Sequence, residues 1–328
     1  MWLEILNAIN NNINSKFELI NYQSVGGGCI NQAYQLIGKD KSYFVKLNNP
    51  SQMEMFKAEA VGLEEIYQTN TVIVPKPICY GVTKNNSYLV LEYLNLGRGN
   101  NQSWVKMGQK LALLHQFKFN QEEEKVSKIG DLKPSFLNKE EEKVSKGRYL
   151  ERLTSSSYGN KYGYFGWHIN NTIGSTPQIN DWCNNWGDFF ADKRIGYQLK
   201  LANQRGGNFS NSEEIIEKVR QNLANHHPSP SLIHGDLWSG NVGFRDNGEG
   251  IIFDPACYYG DREVDIAMTE LFGGFPDGFY DGYNEQWALN DGYNQRKNIY
   301  NLYHILNHFN LFGGGYESQA QRMIKSFS

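Results

Sequence analysis

The sequence predicts an α+β protein with two lobes: a β-rich N-terminal lobe with one main helix, and a larger, mostly helical C-terminal lobe. Five short strand-like runs lie before residue 95, and glycine-containing turns separate the first three. One stretch of helical periodicity, residues 53–67, interrupts these runs. Past the flexible Gly-Arg-Gly-Asn-Asn run at 97–101, helical patterns dominate. We therefore expect lobes over residues 1–94 and 95–328.

The N-terminal lobe reads as a short helix followed by a small antiparallel sheet. Apolar residues recur at helical spacing near the start of the chain, and Gly26-Gly27-Gly28 separates the first two strand-like runs. The expected elements are a helix over 2–13, strands over 17–24, 30–37 and 43–47, a helix over 53–67, and strands over 78–82 and 88–94.

Composition narrows the functional class. The 328 residues carry 35 acidic and 32 basic side chains, so the chain lacks the basic field that nucleic-acid binding requires. The four cysteines form no Cys-x-x-Cys pair, which argues against a disulfide framework or a zinc site. The start lacks the basic residues of a signal peptide, and no apolar run reaches the roughly 18 residues of a membrane span. These features predict a soluble cytoplasmic protein without a membrane or nucleic-acid partner.

A charged segment interrupts the C-terminal lobe. Glu-Glu-Glu-Lys-Val-Ser-Lys occurs at 122–128 and again at 140–146, which indicates an internal duplication. Because the segment lacks apolar periodicity, we expect a solvated insertion near residues 119–161 and not part of the core.

The strongest chemical signal is a set of oxygen-bearing side chains between residues 232 and 254. Asp236 lies in His-Gly-Asp, Asn241 follows it by five positions, and Asp254 ends the next strand-like run. In kinase-type enzymes such an Asp accepts the proton of the acceptor hydroxyl, while the Asn and the second Asp bind magnesium. A turn or helix cap would explain Asp236 alone but not all three residues. His234 is expected to brace the loop by hydrogen bonding.

A glycine loop and a strand lysine fit the same chemistry. Gly26, Gly27, Gly28 and Asn31 form the loop that we predict to cover the phosphates of ATP. Glycines also serve plain hairpins, but here the strand expected at 43–47 carries Lys46. A lysine on an apolar strand either points to solvent or needs a counter-charge, and Glu59 in the following helix can supply one.

The run 89–94 is an apolar strand that leads into a polar linker, as a kinase hinge does. At this position the backbone of Glu92 and Leu94 is predicted to bind adenine.

Together these residues resemble the fructosamine kinase (ketosamine 3-kinase) family, of the aminoglycoside-phosphotransferase-like, protein-kinase-like fold. The motifs that carry the resemblance are Gly-Gly-Gly-Cys-Ile-Asn-Gln-Ala at 26–33, Phe-Val-Lys-Leu-Asn at 44–48, Met-Phe-x-x-Glu-Ala-x-Gly-Leu at 55–63, His-Gly-Asp-Leu-Trp-Ser-Gly-Asn at 234–241, Phe-Asp-Pro-Ala-x-Tyr-Tyr-Gly-Asp-Arg-Glu-x-Asp-Ile-Ala-Met at 253–268 and Leu-Tyr-His-x-Leu-Asn-His-x-Asn-Leu-Phe-Gly at 302–313. His-Gly-Asp with a downstream Asn is shared by many small-molecule kinases, whereas the Asp-Pro-Ala block is narrower.

The resemblance implies phosphorylation of the 3-hydroxyl of ketosamines such as fructosamines or ribulosamines, with ATP and Mg²⁺. It implies removal of sugars from amines or proteins, so the expected partners are small ketosamines or glycated protein. Two alternatives stay open: a kinase for another alcohol or amino sugar, of the choline or aminoglycoside type, and a nucleotide-binding pseudokinase that senses redox state.

Cys29 lies within the glycine loop and is similar in position to a cysteine in redox-sensitive family members. A thiol beside many backbone N–H groups can have a lowered pKa. A small residue tolerated in a tight loop is an equally good explanation. The resemblance thus allows either a monomer or a redox-dependent homodimer.

Overall fold

A computed structural model describes residues 1–13, 15–26, 31–118 and 163–327. Gly27, Gly28, Cys29 and the charged insertion expected at 119–161 lie outside these residues.

The described helices and strands are, in chain order, α1 Trp2–Asn12, β1 Leu19–Val25, β2 Gln32–Gly38, β3 Ser42–Asn48, α2 Met53–Gln68, β4 Pro77–Val82, β5 Ser87–Glu92, α3 Asn101–Gln116, β6 Asn171–Ile173, β7 Thr176–Gln178, α4 Trp186–Asp188, α5 Tyr197–Gln204, α6 Ser212–Leu223, β8 Ser231–Ile233, β9 Val242–Phe244, β10 Gly250–Ile252, β11 Tyr258–Gly260, α7 Glu263–Leu271, α8 Asp277–Trp287, α9 Tyr293–Phe312 and α10 Tyr316–Ser326. A π-helix, Phe189–Gly196, joins α4 to α5, and short 3₁₀ turns cover Pro50–Gln52 and Ser239–Asn241.

The described residues form two compact units. The first consists mainly of residues 1–103 and 243–254, and the second of residues 104–117, 163–242 and 255–327. None of the described helices is both long and apolar enough to cross a membrane.

The first unit is built on a five-stranded antiparallel sheet in the order β1-β2-β3-β5-β4. Each of its seven predicted elements is present, with ends displaced by no more than two residues. Alternating burial along β3 directs Tyr43, Val45 and Leu47 into a core that α1 covers with Ile5 and Ile9. The amphipathic pattern of the first helix is thereby explained.

A distant piece of chain completes the first unit. Strand β10 pairs with β9, and Ile251 forms a parallel bridge with Ile73. The amide of Ile252 donates to the carbonyl of Ile73 over 3.0 Å. Asp254 therefore emerges from a strand that is fixed to the same unit as Lys46.

The second unit is mostly helical and has an aromatic core. Helix α9 packs against α7, α10 and α5, and the two short strands β8 and β11 pair antiparallel. Large rings fill its centre, and these include Trp186, Phe189, Phe190, Tyr300 and Tyr303. Tyr258 of β11, the strand that pairs with β8, contacts this core through the Phe189 ring.

Candidate active site

Lys46 is held between two carboxylates in the first unit. It lies on β3 and is only 5 % exposed. Its ammonium donates to Glu59 Oε1 from α2 and to Asp254 Oδ1 after β10, each over 2.6 Å. The counter-charge predicted from Glu59 is therefore present, and Asp254 supplies a second one.

The pKa values of Lys46 and Glu59 are both raised in this cluster. Burial alone disfavours the Lys46 ammonium, but the charges and hydrogen bonds of Asp254 and Glu59 outweigh it, so the pKa of Lys46 lies above its ordinary value. Lys46 thus stays positively charged at neutral pH. Burial and the nearby Asp254 charge raise the pKa of Glu59, although the Lys46 ammonium opposes this.

Asp254 has an unusual backbone for a non-glycine residue. Its φ is +60°, in the left-handed region, although a residue with a Cβ disfavours that region. Its side chain is half exposed, and among the described residues its only partner is Lys46 at Oδ1. The local geometry leaves Oδ2 accessible to a ligand.

The described flank of the glycine loop is tied to β3. Asn31 Oδ1 accepts from Asn48 Nδ2 over 2.7 Å, while the Cα of Gly26 has open space where a Cβ would lie. Space is therefore open beside Gly26.

The backbone after β5 differs between the two predicted hinge residues. The amide of Glu92 donates to the carbonyl of Lys76 over 2.8 Å, so this amide is already engaged. Leu94, by contrast, forms no backbone hydrogen bond with any residue the structure describes. Its N–H and C=O can therefore serve an adenine edge.

The loop after β8 carries Asp236 in the second unit, and glycine is required before it. Gly235 has φ +80°, and a Cβ there would lie 2.2 Å from the carbonyl oxygen of Ala256. The Ala256 amide in turn donates to the His234 carbonyl over 2.8 Å. This close approach explains the Gly of His-Gly-Asp in physical terms.

Asp265 on α7 anchors the same loop through two of its backbone amides. Its carboxylate accepts from the amides of His234 and Gly235, over 2.7 and 2.8 Å. Burial alone would raise the pKa of Asp265, but the hydrogen bonds from His115 and the Gly235 amide, together with electrostatic attraction to His115 and His234, outweigh it and lower that pKa. Asp265 is thus an ionised anchor for the loop that carries Asp236.

Asn241 is oriented by Asp236. Its Nδ2 donates to the Asp236 carbonyl over 2.8 Å and lies 3.4 Å from Asp236 Oδ2. Among the described residues nothing donates to Asn241 Oδ1, so this oxygen is available as a ligand. His234 Nδ1 accepts from the Asp236 amide over 3.2 Å, which confirms its predicted bracing role.

Comparison with known proteins decides the family. The family model described as fructosamine kinase matches residues 1–125 and 132–328. This chain belongs to the fructosamine kinase family. The "probable ketoamine kinase" of Synechocystis is 48 % identical to it over 99 % of this chain and 96 % of the relative. The chloroplastic protein-ribulosamine 3-kinase of Arabidopsis thaliana is 38 % identical over 93 % of this chain and 81 % of the relative.

A solved structure confirms the fold class predicted from the sequence. The crystal structure of a candidate fructosamine-3-kinase from Haemophilus somnus is similar with a TM-score of 0.82 and 30 % identity, covering 100 % of this chain and 97 % of that one. The α+β protein-kinase-like fold expected for a fructosamine kinase is therefore shown.

A buried amide network in this family member was not assigned from the sequence. Gln178 donates to the Ala256 carbonyl over 3.0 Å, and Asn171 donates to the Cys257 carbonyl over 2.9 Å. Tyr303 donates to Gln178 Oε1 over 2.7 Å. Gln178 belongs to the Thr-Pro-Gln-Ile-Asn-Asp-Trp run at 176–182. This polar run is the sequence feature that could have pointed to the network.

Another cluster of metal-binding residue types is already paired. His226, Asp261 and Glu263 place their ligand atoms within 4.8 Å of one another. However, Asp261 accepts from His226 and from Tyr300, each over 2.6 Å, and Arg296 binds both Glu263 oxygens over 2.7 Å. These contacts give the cluster a structural role.

His304 makes the fold of this kinase sensitive to acid. It lies on α9, is 1 % exposed, and neither ring nitrogen has a hydrogen-bond partner within the described part of the chain. Burial lowers its pKa to about 3 from 6.5. Between these values the unfolded chain binds a proton that the folded chain does not, so stability falls as pH drops, by at most about 1.4 kcal/mol per unit.

We therefore expect His304→Asn to reduce the loss of unfolding free energy between pH 7 and pH 5. Wild-type protein is expected to lose up to about 2 kcal/mol from this group over that range. Urea denaturation at both pH values measures the difference, with exposed His227→Asn as the control. An unchanged pH dependence in His304→Asn would contradict the assignment.

Proposed function

We propose that this protein transfers the γ-phosphoryl group of ATP to the 3-hydroxyl of a ketosamine such as a fructosamine or ribulosamine. The match of the fructosamine kinase family model over nearly the whole chain carries the proposal. The relatives named ketoamine kinase and protein-ribulosamine 3-kinase support the substrate class. The resulting 3-phosphate destabilises the sugar–amine adduct, so the proposed outcome is deglycation of amines or proteins.

Asp236 is the proposed general base. It would accept the proton of the attacking hydroxyl, and its orientation by Asn241 and by the Asp265-anchored loop supports this role. A placed base contributes roughly 10²- to 10⁴-fold to such a reaction. Positioning and charge neutralisation supply most of the remainder.

The first unit supplies the proposed nucleotide contacts. Lys46 would bind phosphate oxygens, with Glu59 orienting its ammonium. The glycine loop, through Gly26, Gly27, Gly28 and Asn31, is proposed to cover the phosphates. A separate contact is proposed for adenine, which the backbone of Glu92, through its carbonyl group, and of Leu94 would bind.

Asn241 and Asp254 each offer an oxygen atom of the type that binds magnesium. Asn241 Oδ1 and Asp254 Oδ2 accept no hydrogen bond from the described residues, and oxygen ligands are those that Mg²⁺ prefers. When bound, magnesium would neutralise negative charge on the phosphates of ATP. The proposed ligands are therefore Asn241 and Asp254.

The cellular setting and the assembly remain proposals. Four cysteines without a disulfide pattern fit a reducing compartment, and we propose the cytoplasm. The partners would be small ketosamines or glycated protein, without nucleic acid. A monomer or a redox-dependent dimer through Cys29 is proposed, and non-reducing gels after peroxide treatment would distinguish the two.

An ADP-release assay tests the proposed reaction. Purified protein is incubated with ATP, Mg²⁺ and one acceptor, either fructosyl-lysine, a ribose-derived ketosamine, choline or an aminoglycoside, with Asp236→Asn as the blank. Turnover on ketosamines alone supports the proposal. Turnover only on choline or an aminoglycoside would identify another alcohol kinase, and ATP binding without turnover on any acceptor would identify a nucleotide sensor.

A further inference from the structure

A buried hydrogen-bonded chain leads to the loop that carries Asp236. Arg262 Nη1 donates to Tyr283 Oη over 3.2 Å, and Tyr283 Oη lies 2.8 Å from His115 Nδ1. His115 Nε2 lies 3.0 Å from Asp265 Oδ2, and Asp265 accepts from the Gly235 amide. All four side chains are at most 4 % exposed.

The donor and the acceptor of each hydrogen bond in this network can be identified. Asp265 is ionised and can only accept, so His115 Nε2 must carry a hydrogen. Tyr283 receives its hydrogen bond from Arg262, which has no acceptor group. Tyr283 can then donate its own hydrogen to His115 Nδ1, which gives every group in the chain a matching partner.

Arg262 is itself held in place. Its guanidinium donates to the carbonyls of Trp287 and Ala288 over 2.8 and 2.6 Å, and it stacks 3.8 Å from the centre of the Trp287 ring. Burial raises the pKa of Tyr283, although Arg262 opposes this, so the phenol keeps its hydrogen at neutral pH. The hydrogen-bonded network therefore runs from the fixed Arg262 guanidinium to the backbone amides of His234 and Gly235.

We propose that His115 is a positioning residue for phosphoryl transfer, which acts through Asp265 to hold the His-Gly-Asp loop and so to place Asp236. This role rests on the proposed function, because the proposed phosphoryl transfer is the reaction that His115 would affect. The hydrogen bonds of His115 are to Tyr283 and Asp265, so its effect falls on the geometry of the loop. A displacement of about 1 Å at a reacting group can cost about 100-fold in rate.

Two substitutions of similar polarity separate this role from packing. In His115→Gln the amide nitrogen extends about as far as Nε2 and can still donate to Asp265. In His115→Asn the amide extends only as far as Nδ1 and cannot reach Asp265. We expect kcat to fall about 10- to 100-fold in His115→Asn and much less in His115→Gln, with little change in the KM for ATP. Rates are compared well below the melting temperature of each variant.

A spectroscopic readout on the unliganded protein needs no turnover. Long-range ¹H–¹⁵N spectra are expected to show His115 as the Nε2–H tautomer, with its signals assigned by their absence in His115→Gln. In Tyr283→Phe the Nδ1 resonance should shift, because it loses its donor. If wild-type protein shows no activity on ketosamines, the proposed function fails while this tautomer test still stands.

Two results would overturn the inference. One is an equal loss of kcat in His115→Gln and His115→Asn, which is what packing alone would give. The other is an Nδ1–H tautomer in wild-type protein, because His115 would then have no hydrogen to share with Asp265.

Discussion

Replacement of Asp236 by Asn is expected to lower kcat by about 10²- to 10⁴-fold while ATP binding is retained. The amide cannot accept the proton of the attacking hydroxyl. The loop should keep its form, because Asn241 donates chiefly to the Asp236 backbone carbonyl and Asp265 holds the His234 and Gly235 amides. Steady-state kinetics on the acceptor found in the ADP-release assay, with ATP affinity from calorimetry, would measure both quantities.

The matched control for this variant is Asp291→Asn, because Asp291 is exposed and its carboxylate forms no hydrogen bond or ion pair with the described residues. It makes the same chemical change away from the loop, so its kcat should equal that of wild-type protein. Retention of more than about a tenth of wild-type kcat in Asp236→Asn would contradict the assignment of Asp236 as base, since a placed base contributes at least about 100-fold.

The first unit could be predicted closely because its signals are local. Apolar alternation and glycine turns mark its strands, and the helical period of 53–67 marks α2, so all seven elements were expected near their observed bounds. Nothing in the sequence indicates that residues 243–254 pack with residues 1–103, or that Ile251 bridges to Ile73. Such pairing between distant segments depends on the packed structure and not on local pattern.

In the candidate site, too, some residues have a local sequence signal, whereas others are identified only by contacts between distant segments. Polar residue types at unusual positions pointed to Lys46, Glu59 and Asp254, and the structure brings these three together. His115 was missed because a histidine near the end of an amphipathic helix looks like any surface or core histidine in sequence. Its partner Asp265 lies 150 residues away, so only the folded chain shows why the histidine is buried.

Replacement of Lys46 by Met is expected to impair both folding stability and catalysis. Met keeps the apolar stem of the lysine on β3 but removes the ammonium that pairs with Glu59 and Asp254. Glu59 is mostly buried, and loss of one partner of a buried ion pair costs about 3–5 kcal/mol, with the lower end expected here because Asp254 is half exposed. Urea denaturation measures the stability, and initial rates at varied ATP measure kcat/KM.

The double variant Lys46→Met with Glu59→Gln separates the two effects. Without the Glu59 charge, the lost ammonium no longer leaves a buried carboxylate unpaired, so much of the lost stability should return. Activity should not return, because phosphate binding needs the Lys46 ammonium itself. Recovery of both properties together would mean that Lys46 serves only the fold, whereas recovery of stability alone assigns its charge to the nucleotide.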